Sequence, residues 1–314
     1  MMDQPNKNRS VIVIAGPTAV GKTAIAVELA KRCGGEIISA DSMQVYRHLS
    51  IGTAKPAASE LKGVAYHLID CVDPDHQFNL GDYVAAASPL VEVLLSAQRF
   101  PIVCGGTGLY IKGLLHGIFE GDTRNMNVRE TLKARASQEG LQVLYQELEK
   151  IDPEAASRIM ENDAIRIIRA LEVWHVTGKP ISTLQQQHTQ PPRWPTQYFI
   201  LTMSSDKLNE RIAERVHAMV EQGLVEEIEN YLRKNFSLEN PALRALGYRE
   251  LIEFIVGKRS FESALEAMIQ RSRQYAKRQR TWFRSVKDAT VIDLTGKSVE
   301  SACDEIASMC FSLA

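Results

Sequence analysis

Residues 11–23 read VIVIAGPTAVGKT. The run Val11 to Ala15 is rich in β-branched residues and stops at Gly16-Pro17, which reads as a short, fully buried strand. Gly16, Pro17, Thr18, Ala19, Val20, Gly21, Lys22 and Thr23 then fit the spacing G-x-x-x-x-G-K-[ST]. From Gly21 to Arg32 the residues Ile25, Leu29 and Ala30 fall on one face, which predicts a helix. Strand, glycine loop and helix in that order make a phosphate cradle. Backbone N–H groups turn inward and the helix start adds partial positive charge. Lys22 adds a full charge, and Thr23 offers a hydroxyl to Mg²⁺.

Outward from the loop, EIISADS (36–42) is a second strand ending in Asp41, and GVAYHLID (63–70) a third. Residues 81–97 read as a helix with Tyr83, Leu90, Val91, Leu94 and Leu95 on its apolar side, and RFPIVCGG (99–106) as a strand running into glycines. YFILTMS (198–204) and ATVIDLTG (289–296) add further strands. Long helices are expected at 206–234 and 260–287, and another over the last 18 residues. Strands alternating with helices imply an α/β fold, a parallel sheet covered on both faces. After about residue 117 the pattern changes to polar and helical, and it closes on the Pro-rich stretch QPPRWP (190–195). The expected organisation is an α/β core of residues 1–120 and 196–314, interrupted by an α-helical insertion at 121–195.

Composition narrows the classes. The 314 residues are 45% hydrophobic and 24% charged, as in ordinary globular proteins. A net charge of −1 excludes a global basic field, so nucleic-acid binding requires a local patch. Cys33, Cys71, Cys104, Cys303 and Cys310 are odd in number and contain no CxxC pair, which speaks against a disulfide framework or zinc knuckle. The polar N-terminus and the short Val11–Ala15 run hold no signal or membrane segment. A cytoplasmic protein with no membrane association is expected.

The loop alone suits an ATP-binding kinase or ATPase. Such enzymes place a second carboxylate at a core strand end to hold the metal's water shell. The strand positioned for it ends in Cys104-Gly105-Gly106, with no acid. Asp41 is the carboxylate placed beside the loop, near the ligand crevice of a parallel sheet. It could serve as a metal ligand, a proton acceptor, or a helix N-cap, since ADSMQ resembles a cap sequence. Arg211 and Arg215 stand four apart, fit either to grip a phosphate pair or to bridge to Glu210 and Glu214. Residues 271–284, RSRQYAKRQRTWFR, hold six basic residues, three aromatics and no acid. That concentration in a near-neutral chain calls for an anionic partner; phosphate backbone is the natural one, with a diphosphate ligand or an anionic lipid surface as alternatives.

GPTAVGKT, ISADSMQVYRHLSIGTAKP, YHLIDCVDP, VCGGTGLYI, NDAIRIIRALEV, ERIAERVHAMVEQGLVEEI, ALGYRE and QYAKRQRTWFR together resemble the bacterial tRNA dimethylallyltransferases, in order and over nearly the whole chain. The resemblance implies a P-loop nucleotide-kinase-like core that binds dimethylallyl diphosphate. It implies transfer of the dimethylallyl group to N6 of the adenosine beside the anticodon, position 37, with Asp41 as general base. Thr23 and Arg215 are implied on the diphosphate, Thr23 also on Mg²⁺. The tRNA contacts implied are Asp41, Ser42, Met43 and Gln44; Thr107 and Arg129; Ile165, Arg166, Ile167, Ile168 and Arg169; Leu246, Gly247, Tyr248 and Arg249; and Lys277, Arg278 and Arg280. A monomer is expected.

Each carries a plainer alternative. Thr107 could be an N-cap, Arg129 a surface charge, and Tyr248 a core tyrosine instead of a base-stacking one. Ile165, Ile168 and Leu171 are expected to face inward, with Arg166 and Arg169 outward or paired with Glu172. The sequence departs from the family at Met160-Glu161, where His-Pro is frequent, and at Val20, where Ser is more usual. Two rivals remain: a P-loop kinase, and a non-catalytic RNA-binding protein switched by nucleotide. The kinase leaves the basic segment 271–284 and Asp-Ser-x-x-x-Tyr-Arg unexplained, and the RNA-binding protein predicts that Asp41→Ala spares function.

Overall fold

The computed structural model describes residues 9–118, 125–187, 190–234 and 237–311. Six parallel strands form one sheet: β1 (Val11–Ala15), β2 (Glu36–Ser39), β3 (Tyr66–His67), β4 (Pro101–Gly105), β5 (Thr196–Thr202) and β6 (Thr290–Asp293). Their order is β3-β2-β4-β1-β5-β6. β1 and β4 are buried at every residue, as central strands covered on both faces must be. The core beneath them joins Ile12, Ile14, Ile37 and Ile102 to Ile25 and Leu29 of α1 (Lys22–Cys33).

The helices continue in chain order: α2 (Ala58–Leu61), α3 (Leu80–Ser96), α4 (Gly108–His116), α5 (Met126–Gln138), α6 (Leu141–Ile151), α7 (Pro153–Ala156), α8 (Ala164–Thr177) and α9 (Ile181–Gln187). After β5 come α10 (Ser205–Glu221), α11 (Leu224–Arg233), α12 (Tyr248–Ile255) and α13 (Phe261–Arg284), and after β6 comes α14 (Val299–Phe311).

The chain divides into two compact units, 1–115 with 192–314, and 116–191. The first holds the sheet. A second apolar cluster in it packs Val45, Tyr46 and Leu49 against α11, α12 and α13 through Ile228, Leu251 and Met268. The second unit is helical, with a core of Leu132, Leu144, Leu148, Ile167 and Leu171.

Three expectations are corrected. The third strand is two residues long, not eight, because it lies at the sheet edge and pairs only with β2. The helix expected at 206–234 is two helices, broken at Gln222-Gly223, where Gly223 takes a left-handed conformation and starts α11. In α8, Ile165 is 83% exposed, and the buried row is Ile167, Ile168, Ala170 and Leu171.

Candidate active site

The site forms at the C-terminal ends of β1, β2 and β4, where the crevice of a parallel sheet opens. β1 runs into the phosphate loop, whose last glycine, Gly21, caps α1 with no side-chain hydrogen bond. The first N–H groups of α1 are therefore not consumed by a side-chain cap. Thr18 N–H is used internally: it donates to Gln279 Oε1 at 2.8 Å, and Gln279 Nε2 donates to Gly106 O at 2.9 Å. Gln279, buried on α13, thus ties the phosphate loop to the turn after β4. Sequence reasoning missed this residue; a glutamine on the buried side of a basic helix was the available signal.

Lys22 Nζ donates to Pro17 O at 2.8 Å, so the ammonium lies over its own loop. Burial pushes it down to about 8; Cys104 and Asp41 oppose that shift, and Arg215 adds to it. Arg215 Nη1 donates to Thr18 Oγ1 at 3.4 Å, and burial holds the guanidinium below its usual range. Among the described residues neither Arg211 nor Arg215 makes an ion pair, and Glu210 pairs with Lys207 instead. The salt-bridged stripe is not what forms. The Thr23 hydroxyl has no hydrogen-bond partner among the described residues.

At the end of β2, Asp41 Oδ1 accepts from Met43 N at 2.8 Å and Gln44 N at 3.2 Å. This oxygen caps a turn; the helix N-cap alternative does not hold, because no helix begins between Asp41 and α2. Oδ2 has no partner among the described residues, so one oxygen of Asp41 remains for chemistry. Ser42 N donates to Thr107 Oγ1 at 3.2 Å, which docks the 41–44 turn on the turn after β4. Thr107 is therefore an anchor between two strand ends. Burial pushes the Tyr275 hydroxyl, which stands beside Thr107 and Gln279, up to about 12.

β4 carries no acid for a packing reason. A Cβ on Gly105 would stand 2.1 Å from Ala40 O. The last residue of β4 has no room for a side chain, and the carboxylate of the site stands beyond β2.

Two cavities meet at the loop. One, of about 290 Å³, is lined by Lys22, Thr23, Asp41, Met43, Leu246 and Arg278 among others. The other, of about 960 Å³, is lined by Gly21, Lys55, Glu60 and Arg211. Lys22, Thr23 and Arg215 belong to both. Cys104 and Tyr66 also line the smaller cavity, and burial raises both, the thiol to about 11.

The expected RNA contacts separate into three groups. Ser42, Met43, Leu246 and Arg278 line the smaller cavity, while Lys277 is exposed on α13. Arg278 lies over the Tyr275 ring at 5.6 Å, and Arg280 donates to Ser205 Oγ at 2.6 Å. Arg249 is exposed and lies 3.6 Å from Glu253. Gln44, which also lines the smaller cavity, is buried, as are Gly247 and Tyr248. The Gln44 amide is spent on Thr53 O and Ala54 O, and the Tyr248 hydroxyl on Glu227.

In the helical unit, Ile167 and Ile168 are core residues. Arg129 and Arg169 clamp Glu172 Oε2 at 2.6 and 2.9 Å, and Asn125 N donates to Oε1 at 3.1 Å. Burial alone would raise this carboxyl; the two arginines and the N–H outweigh it and hold it low. Arg166 and Ile165 are the outward residues of that segment, with Arg166 3.3 Å from Asp163.

The sheet order, glycine loop and strand-end carboxylate define a P-loop protein of the kinase-like type, with its acid relocated to β2. Sequence models described as IPP transferase match residues 44–286, and as Isopentenyl transferase residues 9–72. The chain is 42% identical to tRNA dimethylallyltransferase 1 of Syntrophotalea carbinolica, covering 95% of each chain. It is 43% identical to tRNA dimethylallyltransferase of Acetivibrio thermocellus over 89% of this chain and 90% of that one. The solved tRNA isopentenylpyrophosphate transferase of Bacillus halodurans superposes with a TM-score of 0.73 at 39% identity, covering 96% and 95%. A eukaryotic dimethylallyltransferase solved acting on tRNA gives 0.83 at 29% identity, covering 96% and 78%. The chain belongs to the IPP transferase family.

Proposed function

We propose that this chain is a tRNA dimethylallyltransferase, which moves the dimethylallyl group of dimethylallyl diphosphate to N6 of the adenosine 3′ to the anticodon. The observation that carries this is Asp41. A carboxylate with one uncommitted oxygen lines the same cavity as Lys22, Thr23 and Arg215. Gly105, the last residue of the strand that would serve phosphoryl transfer, has no space for an acid.

The chemistry follows from those positions. The C1–O bond to diphosphate breaks as the N6–C1 bond forms. Negative charge grows on the departing oxygens, where Lys22, Arg215 and the N–H groups of α1 stabilise it. The N6 proton passes to Asp41 Oδ2, the oxygen the turn does not use. A target base stacked in an RNA loop is flipped out to reach the cavity. The described residues hold no cluster of three or more His, Cys, Asp or Glu fit for a metal. The donor set suits Mg²⁺ held mainly by diphosphate oxygens, with the Thr23 hydroxyl as its protein ligand. There it would neutralise charge on the leaving group.

Labelled dimethylallyl diphosphate and unmodified tRNA test the reading. Label enters the RNA with Mg²⁺ and without ATP. Hydrolysis of ATP with no label transferred would overturn it. Lys277 and Arg278 are exposed on a helix free of acid over its last fourteen residues, 271–284. Replacing both with alanine weakens tRNA binding and lowers the salt slope by about 0.7 per lost contact to single-stranded phosphate. A slope equal to wild type removes this helix from the RNA interface. Among the described residues no helix is long and apolar enough to cross a membrane. A cytoplasmic monomer acting on tRNA fits this reading.

A further inference from the structure

The segment 50–54 is a wall shared by both cavities. Gly52 and Thr53 line the smaller, Ser50 and Ile51 the larger, and Ala54 both. No strand or helix holds this segment, yet it borders the place where phosphate loop and Asp41 meet. Its fixation comes from Glu227 on α11. Glu227 Oε2 accepts from Ser50 N at 2.6 Å and Ile51 N at 2.9 Å. Oε1 accepts from Gly52 N at 3.2 Å and from the Tyr248 hydroxyl at 2.7 Å.

Tyr248 is fully buried and packs hard against the same segment. A Cβ on Gly52 would stand 2.6 Å from its ring. Burial and the Glu227 carboxylate push the phenol far up, which keeps it a donor. From the other side, Gln44 Nε2 donates to Thr53 O at 3.3 Å and Ala54 O at 3.0 Å. Gln44 N then donates to Asp41 Oδ1 at 3.2 Å. One hydrogen-bonded path runs from Glu227 through the wall and Gln44 to Asp41.

We infer that Glu227, with Tyr248, is a positioning residue for group transfer: it sets the wall between the cavities and, through Gln44, the aim of Asp41. This rests on the transferase reading above. The chemistry of the contact requires a carboxylate. Four donors converge on two acceptor oxygens. An amide offers one acceptor oxygen and turns N–H groups toward N–H groups.

Glu227→Gln and Tyr248→Phe in the full-length enzyme separate positioning from mere structure. Two readouts are needed: hydrogen exchange of the 50–52 amides, and single-turnover transfer of labelled dimethylallyl to tRNA per folded molecule. Glu227→Gln speeds exchange at 50–52 and slows transfer about 30-fold, since a base displaced by a fraction of an ångström loses its line to N6. tRNA affinity stays within about 3-fold, because the basic helix is untouched. Tyr248→Phe keeps the three backbone bonds and slows transfer only about 3-fold. Faster exchange in Glu227→Gln with a wild-type transfer rate makes Glu227 structural only and overturns the positioning role. Unchanged exchange overturns it too. A wild-type enzyme that transfers no label fails the transferase reading itself, whatever the exchange shows, so the two failures are distinct.

Discussion

Asp41→Asn transfers label about 10³-fold more slowly than wild type while binding tRNA within about 3-fold. The separation follows from how the two oxygens are used. Oδ1 receives Met43 N and Gln44 N and shapes the 41–44 turn. Asparagine keeps that acceptor, so the turn, the docking of Ser42 on Thr107 and the cavity lining survive. What it lacks is the second carboxylate oxygen, the one with no partner among the described residues, which would accept the N6 proton in the proposed transfer. Asp41→Ala removes both functions. It should be at least as slow as Asp41→Asn and add a stability loss of about 1 kcal/mol for the lost turn hydrogen bonds. Single-turnover rates at saturating donor and RNA, with filter binding for affinity, read both quantities. A rate in Asp41→Asn within tenfold of wild type would leave Asp41 as a turn cap and return the search for the base to the cavity lining.

Legibility in the sequence followed the range of the interactions. The phosphate loop could be read because its determinants lie within eight consecutive residues and its flanking strand and helix are local patterns. β1 and β4 could be read because a strand buried on both faces is a continuous apolar run. β3 could not be bounded: at an edge, pairing ends where the neighbour's register ends, and GVAYHLID alone does not contain that limit. The inward face of α8 was mis-set at Ile165, which falls in the first turn beside the Asp163 cap, beyond the core its helix covers.

In the site, Lys22, Thr23, Asp41 and Arg215 were readable from motif and resemblance. The residues that hold them in place were not. Gln279 meets Thr18 across 261 residues, and Glu227 meets Ser50 across 177. Tyr248 and Gln44 were read as RNA contacts because position in a motif does not say which way a side chain points. Both turn inward and support the wall beside Asp41.

Lys22→Met lowers the transfer rate about 10²- to 10³-fold, the scale of losing one preorganised charge from a developing anion. The loop N–H groups and Arg215 remain, so donor binding weakens less than the rate. The sign of the pH dependence comes from burial, which brings the Lys22 ammonium down to about 8. Below that pH it is charged and, in the proposed transfer, would face the leaving group; above it the charge is lost and kcat/KM for the donor should fall. A bound diphosphate favours the charged form, so the alkaline limb of kcat lies at higher pH than that of kcat/KM. Folding shows the opposite slope. The folded value lies below the ordinary 10.5, so between about 8 and 10.5 the unfolded chain holds the extra proton. Stability of the protein without donor therefore rises with pH across that window. Below it the buried ammonium is carried at a cost that diphosphate offsets, so donor protects most against unfolding at lower pH. Thermal melts with and without donor from pH 7 to 10, beside pH–rate profiles, measure both trends. Lys22→Met should lack both the alkaline limb near 8 and the stability rise. A variant that keeps that limb assigns it to another group and takes Lys22 off the departing diphosphate.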